Sequence, residues 1–166
     1  MRHRGFTVFE LLVVVFILGL VAGFAVLAVG GGPSRLMEHE ARRLVELSGL
    51  ARDEAMLTGQ VRALGFSRGG YAFLEQVFLD DQRVTWLELE RAPLVPRSFD
   101  RLGLEVRLYQ QGRRVALDDR PDRPLVLFNG AGEVTPFELE LRPPRMTEVL
   151  VITGFPDGRL HWETRR

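Results

Sequence analysis

The chain opens with an unbroken apolar run. Residues 11–29 read LLVVVFILGLVAGFAVLAV, without a charge or a strongly polar side chain. As a helix, nineteen residues rise about 28 Å, close to the hydrocarbon thickness of a bilayer. After Gly30-Gly31-Gly32-Pro33 the pattern becomes amphipathic. Met37, Ala41, Leu44, Ser48, Ala51 and Ala55 recur at alternating spacings of four and three, which predicts a helix over 34–60 with one face packed inward. Three glycines form a hinge between the two helices, Pro33 suits a first helical turn, and Gly59 a helix stop.

Beyond Gly59 the period shortens to two. Strands are predicted over 61–67, 70–78, 84–90, 104–110, 113–117, 124–128, 135–142, 148–153 and 159–163. Turn residues such as Gln111-Gly112, Asn129-Gly130 and Asp157-Gly158 separate them. Phe137, Leu139 and Leu141 alternate with Glu138, Glu140 and Arg142, as in a sheet with one buried face. Residues 91–101 and 118–123 read as connecting loops. The resulting class is α+β, with a long N-terminal helix on an antiparallel β-sandwich.

Composition changes the picture in three ways. The 166 residues hold 22 Arg, no Lys and 22 acids, so net charge is zero and nothing global draws the chain to nucleic acid. There is no Cys, which removes disulfides, thiol nucleophiles and Cys-ligated zinc. The basic residues of MRHRG precede the apolar run and nothing basic follows until Arg35. That asymmetry keeps the N-terminus in the cytoplasm and exports the rest. A secretory signal peptide shares this layout, with Ala28-Val29-Gly30 as its cleavage site. The length of the run and the acid Glu10 at its edge count against it. A carboxylate so placed either snorkels to the headgroups or has a charged partner.

Gly5-Phe6-Thr7-Val8-Phe9-Glu10, followed by the apolar helix, resembles the type IV prepilin signature. The resemblance implies cleavage between Gly5 and Phe6 by a prepilin peptidase and methyltransferase, and N-methylation of Phe6. It also implies a role in subunit assembly for Thr7 and Glu10, with Glu10 pairing with a neighbour's N-terminal amine. The expected divisions are a leader (1–5), a transmembrane and filament-core helix (6–29), a hinge (30–33), an amphipathic helix (34–60) and a periplasmic head (61–166). Loss of Arg2 and Arg4 would leave a net charge of −2.

The segments 51–59, 70–73 and 127–137 resemble the GspH/FimT group of minor pilins, and most closely the H-type minor pseudopilin of type II secretion. That implies a pilin-like fold and a place in the tip complex of a periplasmic pseudopilus. Implied partners are other minor pseudopilins, the major pseudopilin, the inner membrane and exported proteins.

No catalytic constellation or cofactor motif is present. His3, His39 and His161 lack metal-ligand spacing. Asp80-Asp81 and Asp118-Asp119 with Asp122 offer oxygens to calcium but fit no EF-hand loop, so no metal is expected. FimT-type relatives bind DNA through a basic C-terminus, and that resemblance would make Arg159, Arg165 and Arg166 the corresponding contacts, against the simpler reading of a solvated C-terminal end. Gly158-Arg159-Leu160-His161 departs from the Gly-Arg-x-Arg pattern, so weak DNA binding by a type IV minor pilin is the alternative reading. A third reading is an anchored periplasmic domain unrelated to filaments.

Overall fold

Residues 8–29, 33–80, 83–144 and 147–166 are described by a computed structural model. They divide into two units between Arg35 and Leu36. In the first lies α1 (Val8–Val29), an uninterrupted helix of 22 residues whose one charge is Glu10 in the first turn. Most of the expected hinge, residues 30–32, lies outside the described residues.

Helix α2 (Pro33–Thr58) supplies one wall of the second unit. Met37, Ala41, Leu44, Ser48, Ala51 and Ala55 are all buried, as their spacing predicts. The helix stops where Gly59 takes φ of 67°, the left-handed conformation that glycine adopts without strain.

Two antiparallel sheets complete the core. The first contains β1 (Arg62–Ser67), β2 (Gly70–Phe78), β3 (Val84–Glu88) and β7 (Val126–Phe128), in the order β3-β2-β1-β7. The two-residue β4 (Arg97–Ser98) also pairs with β2. The second sheet contains β5 (Glu105–Gln110), β6 (Arg113–Val115), β8 (Phe137–Arg142), β9 (Val149–Gly154) and β10 (Leu160–Arg165), in the order β10-β9-β8-β5-β6. Leu64, Phe66, Tyr71 and Phe73 from the first sheet share one core with Leu108, Leu139, Leu141 and Ile152 from the second and with the α2 stripe. Trp162 packs half-buried at its edge.

Three details depart from the sequence reading. The 91–101 connection carries β4 and a short 3-10 turn at Asp100–Leu102. Such brief elements leave no periodic trace. The strand expected over 124–128 is regular only over Val126–Phe128; the Leu125 N–H still donates to the Leu64 carbonyl at 3.2 Å, and Pro124, with no N–H, cannot donate to the ladder. Finally, all six residues of β1 are buried, not alternately exposed. The 118–123 loop lies against its second face, where the Arg68 N–H donates to the Asp118 carbonyl at 3.1 Å. A Cβ on Gly65 would collide with the Pro121 carbonyl, so glycine is required there.

Candidate functional site

Helix α1 is apolar on every side, so no face of it is marked for a single packing partner. Its described side chains are exposed in the chain by itself, with Phe9 77% and Phe16 69% accessible. Such a surface requires cover. Among the described residues no helix is long and apolar enough to cross a membrane when judged on those residues alone. The backbone helix is nevertheless 22 residues, about 33 Å. Glu10 sits in the first turn, where the helix dipole favours a negative charge. Gly5, Phe6 and Thr7 lie outside the described residues.

Helix α2 presents a second surface. Leu36, Leu50 and Leu57 are exposed, Leu57 to 86%. Their spacings are multiples of seven, so they form one line along the helix, away from the buried stripe. Arg43 stands at the remaining heptad position, which makes the line mixed in character.

The rest of α2 is fastened to the head by residues that periodicity did not single out. Arg52 Nη1 donates to the Gly158 carbonyl at 2.9 Å. The Asn129 Oδ1 accepts from the N–H groups of Ala131 and Glu133, both at 3.0 Å. This closes the Asn129–Gly132 turn beneath the C-terminal end of α2. At Gly132, with φ of 82°, a Cβ would stand 2.9 Å from the Met56 sulfur. The glycine-rich stretch near the C-terminus therefore seats the helix end. Its signal in the sequence was the Asn-Gly turn chemistry, but the partner α2 was not legible there.

The C-terminal arginines do not form one basic patch. Arg159 lies just before β10, and Arg165 at its end, about 20 Å along an extended strand. Each is paired: Arg159 with Asp157 at 2.6 Å, Arg165 with Glu163 at 2.6 Å and Glu138 at 3.2 Å, and Arg166 with Glu148 at 3.1 Å. The Arg159 guanidinium also sits 5.7 Å from the Phe155 ring centre. Hydrogen bonds from the Arg159 backbone and guanidinium hold the Asp157 carboxyl below its usual range. Phosphate binding would have to compete with these acids.

Two of the loop acids are similarly engaged. Asp119 accepts from Arg68 at 2.8 Å and Asp118 stands 3.6 Å from Arg123. Among the described residues no group of three or more His, Asp or Glu side chains is placed to hold a metal. Asp81 lies outside the described residues.

Residues 1–26 match the family model described as the prokaryotic N-terminal methylation motif, and residues 40–158 match that of type II transport protein GspH. The chain is 33% identical to type II secretion system protein H of Pseudomonas aeruginosa over 144 residues, covering 83% of this chain and 82% of that protein. It is 29% identical to the protein of the same name from Aeromonas hydrophila, covering 84% and 82%. Among solved structures it is similar to the minor pseudopilin EpsH from the type 2 secretion system of Vibrio cholerae. That match has a TM-score of 0.59 and 20% identity, over 76% of this chain and 94% of that one. The solution structure of Escherichia coli GspH matches with a TM-score of 0.59 and 22% identity, over 79% and 89%. At these identities the structural matches show the pilin-like α+β fold.

Proposed function

This chain belongs to the type II transport protein GspH family, as a minor pseudopilin of type II secretion, and from that premise we propose how its parts work. Helix α1 holds the subunit in the inner membrane, with the N-terminus cytoplasmic and the head periplasmic. After cleavage between Gly5 and Phe6 and methylation of the Phe6 amine, the subunit enters a short periplasmic pseudopilus. There it joins other minor pseudopilins at the tip, above the major pseudopilin, and the head meets exported proteins.

The observation that carries this reading is α1 itself: 22 residues, apolar on every side, with a single acid in the first turn. A rod of this kind can exchange lipid for neighbouring helices at little cost, because both surroundings are apolar. Glu10 gives the exchange a register. In a low-dielectric filament core its carboxylate attracts a neighbour's Phe6 amine, and the pair forms only at one axial offset. Thr7 lies beside that pair in sequence and shares the assembly role. The work is mechanical, with no bond chemistry assigned to the head.

The alternative, DNA binding by a type IV minor pilin, is weakened by the acids paired with Arg159, Arg165 and Arg166. The test is the intact mass of the protein from its native membrane. Residues 6–166 plus one methyl group is the expected result. The uncut chain would reduce the protein to an anchored domain. Loss of residues through about 29 would mean a signal peptide and end the role given to Glu10.

A further inference from the structure

Gly49 sits in the middle of α2, with nothing within 4 Å of where a Cβ would stand. Glycine at such a position weakens a helix. Gly132 and Gly158 have reasons inside the chain: a Cβ on the first would stand 2.9 Å from the Met56 sulfur, and one on the second would collide with the Gly132 carbonyl. Gly49 takes part in no turn and no close approach. A local rule broken without a gain inside the chain points to a gain outside it.

Gly49 lines an open groove of about 550 Å³ between α2 and the turn that joins β9 to β10. Val45, Gly49 and Arg52 follow one another at spacings of four and three, so they form one wall. Phe155, 40% exposed, and Leu160 form the other. The two walls are fastened together. Arg52 Nη1 donates to the Gly158 carbonyl at 2.9 Å. Within the turn the Phe155 N–H donates to the Arg159 carbonyl at 2.9 Å, and the Gly158 N–H to that of Phe155 at 3.0 Å. The groove is therefore formed before anything enters it.

Every ionisable side chain that lines it is basic: Arg52, Arg159 and His161. Asp53 and Asp157 each hold one side of an arginine but do not line the groove. The bond to Asp157 engages the Arg159 Nε, and that side chain stays 77% exposed, so its terminal nitrogens are left to donate.

We propose that this groove docks a segment of a partner protein that carries an apolar side chain beside an aspartate or glutamate. The apolar group enters between Gly49 and Phe155 and takes Val45 and Leu160 out of water. The carboxylate accepts from the Arg159 guanidinium and the His161 ring. Two arginines neutralise too few phosphates for tight nucleic-acid binding, and the apolar walls offer a phosphate nothing. The site does not depend on the filament reading, so an uncut native mass would leave it standing.

The test uses the full chain in micelles of a neutral detergent, with the amide resonances of Gly49, Phe155 and Gly158 followed by 15N NMR. The probe is the end-blocked peptide Glu-Asp-Phe-Leu-Asp-Glu, which should shift these resonances saturably. Glu-Asp-Ser-Ser-Asp-Glu and Lys-Lys-Phe-Leu-Lys-Lys should each bind about tenfold more weakly or worse, for want of the apolar group or the acids. Gly49→Leu fills the groove with a good helix former, so it should abolish binding without lowering the melting temperature. Arg159→Gln should raise half-saturation about threefold, as an exposed charge pair warrants, and it serves alone if Gly49→Leu does not fold. Equal binding of either control peptide, undiminished binding by Gly49→Leu or Arg159→Gln, or no saturable shift would overturn the proposal. Tighter binding of oligothymidylate at the same resonances would make the groove a nucleic-acid surface and overturn the protein partner.

Discussion

Arg62 Nη1 donates to Glu75 Oε2 at 3.3 Å across the β1–β2 pair, with the arginine side chain only 5% exposed. Arg62 Nε also stands 3.7 Å from Glu54 Oε2 on α2, and Arg91 closes on that oxygen at 2.6 Å. Two cations and two acids thus join the helix to the sheet near the end of α2. Desolvating such a group is offset only while its partners remain.

Arg62→Met should therefore destabilise the head. Both acids are partly exposed, so the cost is about 2 kcal/mol, below the 3–5 of a fully buried pair. The melting temperature followed by near-UV circular dichroism should fall by about 4–8 °C. Arg62→Met combined with Glu75→Gln should recover part of the loss, because the stranded charge is then removed. A single variant that melts with the parent would show that the cluster holds nothing together.

Two glycines should respond with opposite signs. Gly65→Ala drives a Cβ into the Pro121 carbonyl and to 2.9 Å from that of Arg123, so the 118–123 loop must move. Overpacking of this kind costs about 1–3 kcal/mol. Gly49 lies mid-helix with nothing within 4 Å of its added Cβ. Gly49→Ala should gain about 0.5–1 kcal/mol through helix propensity. Thermal melts of the two variants check both, and a stabilising Gly65→Ala would mean that the loop does not rest on β1.

The long elements were legible because their periods persist: α2 kept a buried stripe over five turns, and β8 alternated Phe137, Leu139 and Leu141 against polar neighbours. What escaped was set by distant chain. Arg62 sits on a strand that would read as half-exposed, and only Glu54 and Glu75 reveal why a cation is buried there. Tyr71 looks like any sheet aromatic until β4, too short to leave a pattern, brings Arg97 beside it. At the other end, Gly5, Phe6 and Thr7 were legible only as a resemblance, since spacing alone gives no reason for a peptidase to cut between Gly5 and Phe6.

Tyr71 should impose an alkaline limit on stability. Burial pushes its hydroxyl from 10.0 up to about 12, Glu40 adds to the rise, and Arg97 and Arg43 oppose it. The raised folded value means the native state keeps the proton after the unfolded chain has released it. Its contribution is complete below pH 10 and drains away as pH rises toward 12, by roughly 2–3 kcal/mol in all. Tyr71→Phe has no such group to ionise. Its melting temperature should decline less between pH 9 and 11.5 than the parent's, and parallel declines would place the hydroxyl in contact with water.

The strongest demand on the filament reading falls on Glu10. It occupies the first turn of α1, where a neighbour's amine would meet it in apolar surroundings. Glu10→Ala removes the charge but leaves the helix length and the basic leader unchanged, so membrane insertion and cleavage at Gly5 should proceed. Incorporation should fall at least tenfold, because a charged pair in a partly desolvated site contributes more than 1.4 kcal/mol. Glu10→Asp keeps the charge on a shorter stem and should recover part of it. Crosslinking to neighbouring subunits in intact cells, with processed mass measured alongside, reads both quantities at once. Normal crosslinking by Glu10→Ala would move the register elsewhere on α1. Failure of cleavage in the same variant would instead assign Glu10 to recognition by the peptidase.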